Sequence, residues 1–358
     1  MTDFLILGGG IIGLATALEL RQRGCTVRVV CRDRQEAAGY VAAGMIAPQA
    51  EGLQGPQLEL GLASRALYPA WIARLEAISS LDCGYWNSGI LVPYFDDREV
   101  SHHPSHPDSQ RFSSADALRQ QPGLGEIRGA IWYPHDAQVD NRRRLMQALI
   151  EANRQLGVEL LDGVTVQQLL PQGDRLVGVE TATGLLQAEH YILAAGSWSG
   201  QLLDLPVQPI KGQMFSVRQP DGAAHPLRSV LFGPGTYIVP RRDGLIVVGA
   251  TAENVGFCGG STPAGTSHLM AAACRLFPPL ATYSVEELWW GYRPGTPDEG
   301  PLLGRSPYRN LSLATGHYRN GILYAPITAK LLTESLLDHQ NPDLLQAFHW
   351  QRFSGVCP

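Results

Sequence analysis

A chain of 358 residues is long enough for two domains and a sizeable core. Its 44% hydrophobic and 17% charged residues exclude intrinsic disorder, and a formal net charge of −5 excludes a general attraction to nucleic acid or an anionic membrane. Six cysteines with no C-x-x-C pair read as free thiols in a reducing compartment.

The chain opens with MTDFLILGGG, which lacks a basic region and a small-residue cleavage site. It reads as a strand at 4–7, not as a signal peptide. No run approaches the ~20 apolar residues that cross a bilayer, so the expectation is a cytoplasmic protein without a membrane span. GGGIIG follows at 8–13, then a helical run to Gly24 with Ile11, Leu14, Ala17 and Leu18 on one face, then the β-branched strand CTVRVVC at 25–31. In this strand–turn–helix–strand setting Gly8, Gly10 and Gly13 form a dinucleotide-binding fingerprint. Gly8 permits the turn, Gly10 lets the backbone approach a pyrophosphate, and Gly13 lets the helix pack on the sheet. The motif does not separate FAD from NAD. An acid is expected at the end of the second strand, to hold ribose hydroxyls. Cys31 stands there, with Arg32 and Asp33 after it, so either Asp33 reaches back or main-chain groups and Arg32 serve the adenosine end.

AAGYVAAGMIAPQAEG at 37–52 is too small for a core helix; it reads as a bed for a flat ring or as a plain loop. Residues 58–79 read as a long helix. From 84 to 135 short strands and loops follow. HHPSH at 102–106 offers His102, His103 and His106, but without fixed acidic or cysteine partners it reads as a solvated loop, and no metal is expected. Residues 139–161 read as helix then strand, with Arg142–Arg144 a solvated face. Residues 164–193 read as a hairpin and a strand, and LAAGSWSG at 193–200 is a second small-residue turn at the ligand edge of the sheet. Alternation returns at 207–250, interrupted after it by a helix at 266–277. WWGYRPGTPDEGPLLG at 289–304 reads as irregular, its glycines and prolines restricting the backbone that presents Arg293. Residues 311–339 read as strand, polar turn, and a helix starting near Gly321 or Ile322.

Taken together, GGGIIG, AAGMIAPQAE, VDNRRRLMQAL, AAGSWSG, PIKGQ, YIVPR, GYRPGTPDEGPLLG and GHYRNGILYAPIT resemble the FAD-dependent D-amino-acid oxidase superfamily, over nearly the whole chain. Within it they resemble the glycine oxidase family of thiamine-thiazole synthesis. The resemblance implies an α/β fold in which a Rossmann-like FAD-binding domain (1–83, 131–205, 306–358) is interleaved with a mainly antiparallel substrate domain (84–130, 206–305). It implies FAD bound without a covalent link. The contacts it implies are Gly8, Gly10, Ile11, Ile12, Gly13, Arg32, Asp33, Ala42, Ala43, Gly44, Met45, Val164, Ala195, Gly196, Trp198, His317, Tyr318, Arg319, Asn320, Gly321 and Ile322. Arg293 matches the arginine that pairs with the substrate carboxylate, Tyr237 a tyrosine that hydrogen-bonds it, and Arg319 a second arginine near substrate and flavin. The implied reaction is transfer of the Cα hydrogen of glycine, or another small amine or D-amino acid, as hydride to flavin N5. The resemblance further implies dioxygen as the final acceptor and a homo-oligomeric state. Gly235 and Ala252 stand where the best-known branch has a histidine and a methionine. Rivals are a sarcosine or broader D-amino-acid oxidase, a dehydrogenase, and a non-catalytic FAD-binding scaffold.

Overall fold

The computed structural model describes residues 2–103 and 106–353. Phe4–Leu7 is buried at every position, yet its alternation still sorts it: Phe4 and Ile6 enter one core, Leu5 and Leu7 another. Such two-sided burial belongs to a central parallel strand. It pairs in parallel with Val27–Cys31 on one side and His190–Leu193 on the other. Glu159–Asp162 and Leu311–Thr315 extend the sheet in parallel, and Leu302–Arg305 closes it antiparallel. One face is covered by the helices Ile11–Gln22, Gly55–Ser79, Met146–Gln155 and Gly321–Leu337. A three-stranded sheet, Val166–Gln172, Arg175–Thr181 and Gly184–Leu186, lies on the other through Leu169, Leu176 and Val179. Each aliphatic side chain buried there contributes ~1.5–3 kcal/mol. The Ile11–Gln22 helix is sandwiched, not one-sided: Ile12, Ala15 and Thr16 are buried along with the expected Leu14, Ala17 and Leu18.

The second sheet has eight strands, in the order Ser284–Gly295, Gln208–Arg218, Leu245–Gly249, Thr236–Pro240, Val230–Gly233, Ile90–Tyr94, Gly129–Tyr133 and Gln110–Ser113. Among the described residues of this sheet only Val230–Gly233 and Ile90–Tyr94 pair in parallel. The alternation of Leu245–Gly249 splits its faces. Ile246 and Val248 pack under the Pro263–Leu276 helix, while Val247 faces the 41–50 loop. Tyr237, Met214 and Trp289 share that loop-facing side. The cavity described below lies between this face and the carboxyl ends of the parallel strands.

Several expectations change. Residues 284–295 form a strand, not an irregular segment, because pairing with Gln208–Arg218 along its whole length outweighs its glycine and proline. It lies at the sheet edge, where proline is tolerated. Gly129–Tyr133 crosses the expected boundary at 130, and Leu302–Arg305 joins the six-stranded sheet although it falls before 306. Arg142, Arg143 and Arg144 are not merely solvated; they pair with Glu287, with Asp140 and Asp243, and with Asp82. Pro104 and Ser105 lie outside the described residues. The flanking His103 and His106 rings meet Phe232 and Tyr133 edge-on, each 6.4 Å between centroids. Among the described residues no helix is long and apolar enough to cross a membrane, and no cluster of His, Cys, Asp or Glu has metal-binding geometry.

Candidate active site

The carboxyl ends of the five parallel strands of the six-stranded sheet point at one place. Gly8, Arg32, Val164, Gly196 and His317 follow the carboxyl ends of Phe4–Leu7, Val27–Cys31, Glu159–Asp162, His190–Leu193 and Leu311–Thr315. This edge is where open α/β sheets bind ligands. A single continuous cavity runs from it to the loop-facing side of the eight-stranded sheet.

At one end is the glycine turn. Gly8 has φ 130°, and a Cβ there would stand 2.2 Å from the Ala194 carbonyl oxygen. A Cβ on Gly13 would stand 1.9 Å from the Gly8 oxygen, so Gly13 serves helix–strand contact and does not line the cavity. Gly10 is different. Its nearest neighbour would be Ala37 Cβ at 3.7 Å, so the protein itself does not require a glycine there. The Ile11–Gln22 helix begins beside it with no side-chain cap and no acid in its first turn, leaving N–H groups for an anion. Ile11 and Ile12 line the cavity with Gly10. A pyrophosphate fits this cradle.

Cys31, Arg32, Asp33 and Val164 line the cavity near that end. Cys31 is 6% exposed; burial pushes its thiol up from the ordinary range, which keeps it neutral. Asp33 accepts the Gln35 N–H at 2.8 Å in its own turn. Arg32 pairs with Glu36 and lies 4.7 Å from the centroid of the Trp198 ring. Ala195, Gly196 and Trp198 complete this wall.

Ala42, Ala43, Gly44 and Met45 line the middle of the cavity. This loop of small residues is held through its carbonyls. Asn141 Nδ2 donates to Gly39 and Ala42 at 2.7 Å, Trp289 Nε1 to Val41 at 2.9 Å, and buried Arg241 to Ala43 at 2.7 Å. A flat ring system would thus meet a fixed backbone. Opposite come His317, Tyr318, Arg319, Gly321 and Ile322. His317 is buried, its Nε2 lies 3.1 Å from Thr328 Oγ1, and desolvation pushes its pKa down to about 3, so the ring is neutral and structural. Asn320 is buried in the turn before the Gly321–Leu337 helix and does not line the cavity.

At the far end the loop-facing side of the large sheet presents Tyr237 and Arg293. Arg293 pairs with Ile210 across the strands, and its guanidinium lies over Gly212, where a Cβ would come within 2.4 Å of Nη1. It donates Nη1–H to the Thr251 carbonyl at 2.9 Å. Among the described residues it forms no ion pair. A half-buried arginine without a carboxylate is a site for an anion. Tyr237 stands beside it, its hydroxyl kept neutral by burial. Arg319 differs: it is half-exposed, 3.8 Å from Glu299, and donates to Tyr318 Oη at 2.9 Å. The cavity therefore brings Tyr237, Arg293 and Arg319 together, and of the two arginines Arg293 is the one without an ion pair among the described residues.

Two features escaped the sequence reading. Gly212 makes room for the guanidinium. Glu51 lines the same cavity, with one carboxylate oxygen buried and without a hydrogen-bond partner. Burial raises its pKa to about 7, against the opposing pull of Arg319 and Arg293. The signal was present: residues 37–50 carry no charge, and Glu51 ends that run.

The family model described as DAO, FAD dependent oxidoreductase, matches residues 3–335. The bifunctional protein ThiO/ThiG of Trichormus variabilis is 49% identical over 359 residues, covering 98% of this chain and 55% of that protein. The chain thus spans about half the length of such curated relatives. The glycine oxidase of Pseudomonas aeruginosa is 33% identical, with 92% of this chain and 93% of that protein covered. The crystal structure of glycine oxidase from Geobacillus kaustophilus superposes with a TM-score of 0.90 at 31% identity, covering 98% of each chain.

Proposed function

The chain belongs to the FAD-dependent oxidoreductase family, and from that premise we propose that it deaminates glycine oxidatively: glycine, dioxygen and water give glyoxylate, ammonia and hydrogen peroxide. Other small amines or D-amino acids are further substrates. The observation that carries this reading is Arg293, an arginine without an acidic partner, aimed into a cavity continuous with a dinucleotide turn. Glycine offers little besides its charges, so a site for it must act on the carboxylate. Arg293 supplies the planar fork and Tyr237 a neutral O–H. Arg319, at the rim, adds positive charge.

FAD, when bound without a covalent link, supplies the two-electron acceptor for the C–N bond. The chain would hold it by the Gly8–Ile12 turn at the pyrophosphate, by Arg32, Asp33 and Val164 at the adenosine, by Ala195, Gly196 and Trp198 along the wall, and by Ala42–Met45 with His317, Tyr318, Arg319, Gly321 and Ile322 at the ring. No side chain acts as base at Cα. The protein contributes position and electrostatics.

The 49% identity to ThiO/ThiG, with the resemblance to the thiamine-thiazole branch, supports a role in supplying the glycine imine for that synthesis. Five unpaired cysteines among the described residues support a cytoplasmic setting. Val285, Leu288 and Trp290 are exposed on the edge strand, which supports association of copies into a homo-oligomer, measurable by light scattering. A second reading, a broader sarcosine or D-amino-acid oxidase, is favoured by Gly235: it lines the cavity with nothing within 4 Å of its Cβ direction, leaving room for a larger amine. Peroxide formation in air from glycine, sarcosine and D-alanine tests both. Turnover of glycine with stoichiometric peroxide supports the oxidase; turnover with a quinone but no peroxide makes it a dehydrogenase; no turnover of any amine defeats the reading.

A further inference from the structure

Glu51 sits in the most prepared position in the cavity. The Asp136 carboxylate is fully buried and accepts the Gln49 and Ala50 N–H groups at 3.3 and 2.8 Å. Arg65 Nη1 binds that same carboxylate at 2.6 Å and Gln49 Oε1 at 2.7 Å. The residues immediately before Glu51 are therefore clamped from beneath. The Glu51 N–H itself bonds the Ala47 carbonyl at 3.0 Å. Beyond this clamp the Glu51 side chain enters the cavity that also holds Arg293, Tyr237 and Arg319. Its Oε2 is buried and accepts no hydrogen bond, and among the described residues it forms no ion pair. A buried carboxylate oxygen without a donor is costly and is retained where a donor arrives from outside.

The charged and titratable groups around it are Arg293, Arg319, Asp136, Glu299, Tyr237 and Tyr324. None of them donates to Oε2. The substrate proposed above carries the missing donor. Its carboxylate goes to Arg293, and its ammonium is on the adjacent carbon.

We infer that Glu51 is the counter-charge of the substrate ammonium and takes one proton from it before the amine is oxidised. This rests on the reading of the cavity as an amino-acid site. The step balances simply. One N–H bond of the ammonium breaks, its electron pair stays on nitrogen, and the proton forms an O–H bond on Glu51. A cation and an anion become an amine and a carboxylic acid, with no change in net charge. The lone pair uncovered on nitrogen would then make the C=N bond as the Cα hydrogen leaves as hydride, for which the FAD of the proposed reaction is the two-electron acceptor. On product release the acid returns its proton to water. The shift of Glu51 to about 7 suits this task, because a base works best with a pKa close to the operating pH.

The test uses the flavinated protein, as wild type, Glu51→Gln and Glu51→Asp. Two quantities are read: kcat/KM for glycine from pH 6 to 10, and the dissociation constant of glycolate, which has the carboxylate but no amine, from the flavin spectrum. In wild type kcat/KM rises with pH through about 7 and levels off as Glu51 ionises. In Glu51→Gln it is lower by about a hundredfold at pH 7, in the range for loss of a proton-transfer group. It then climbs about tenfold per pH unit as free amine becomes available, while glycolate binds within a few-fold of wild type. Glu51→Asp restores the wild-type limb in part. If Glu51→Gln keeps the wild-type profile, or loses glycolate as badly as glycine, Glu51 has no such role. If wild type itself fails to oxidise glycine, the substrate reading falls first, so the two failures are distinguishable.

Discussion

The role proposed for Arg293 depends on residue 212 being a glycine. The guanidinium occupies the space a side chain at 212 would fill, and its remaining donors face the cavity. Gly212→Ala should therefore displace Arg293 and raise KM for glycine at least about tenfold, while FAD binding persists; crystallography of the variant would show the shifted fork. Arg293→Lys should recover only part of the activity, because a point charge cannot reproduce two parallel N–H bonds. Tyr237→Phe should cost about 1 kcal/mol in kcat/KM, the scale for one neutral donor. At the other end of the cavity the residue in the usual acidic position is Cys31, a neutral buried thiol. A thiol holds a ribose hydroxyl weakly, so Cys31→Ser should change the FAD dissociation constant less than about tenfold. A hundredfold loss would show that the thiol itself is a ligand.

Among the elements, the glycine turn separates two jobs that the fingerprint merges. Gly13 is required by the protein, since its Cβ would collide with the Gly8 carbonyl. Gly10 is not, since its Cβ would meet only Ala37 at ordinary distance. Gly13→Ala should then lower the stability of the apoprotein, while Gly10→Ala should leave the apoprotein melting temperature unchanged and weaken FAD binding; calorimetry with and without FAD reads both. Equal effects in the two variants would remove the pyrophosphate from this turn. The 37–52 loop makes a similar point about what the sequence reveals. Its small residues announce a close approach, but its rigidity comes from Asn141, Trp289 and Arg241, all distant in the chain. Asp136→Ala should destabilise the fold by about 3–5 kcal/mol in urea unfolding, because it strands Arg65 and two backbone donors.

For the whole molecule, the parallel sheet was the legible part. Its strands are short, apolar and punctuated by glycine, so Phe4–Leu7, the first helix and the two later small-residue turns are visible locally. The large sheet was less so. Residues 284–295 carry strand-breaking glycine and proline, and only their long-range pairing with 208–218 makes them a strand. The same limit hid Glu51, whose meaning depends on Arg293 and Arg319 arriving from elements more than 200 residues away. The proposal that FAD is held without a covalent link also belongs to this scale. Among the described residues Cys31 is the cysteine that lines the cavity, and it lies at the end with the dinucleotide turn, away from the proposed ring site. Acid precipitation should accordingly release all yellow colour to the supernatant; colour left on the polypeptide would contradict it. The central claim, that this cavity presents the carboxylate of glycine to FAD through Arg293, is tested most directly by the anaerobic rate of flavin bleaching on mixing with glycine, compared between wild type and a fully flavinated Arg293→Ala protein. The account predicts bleaching in wild type, and in the variant a second-order rate lower by roughly thirtyfold to several thousandfold, from about 2–5 kcal/mol of lost charge-assisted bonding. No bleaching in wild type, or equal rates in the two proteins, would contradict it.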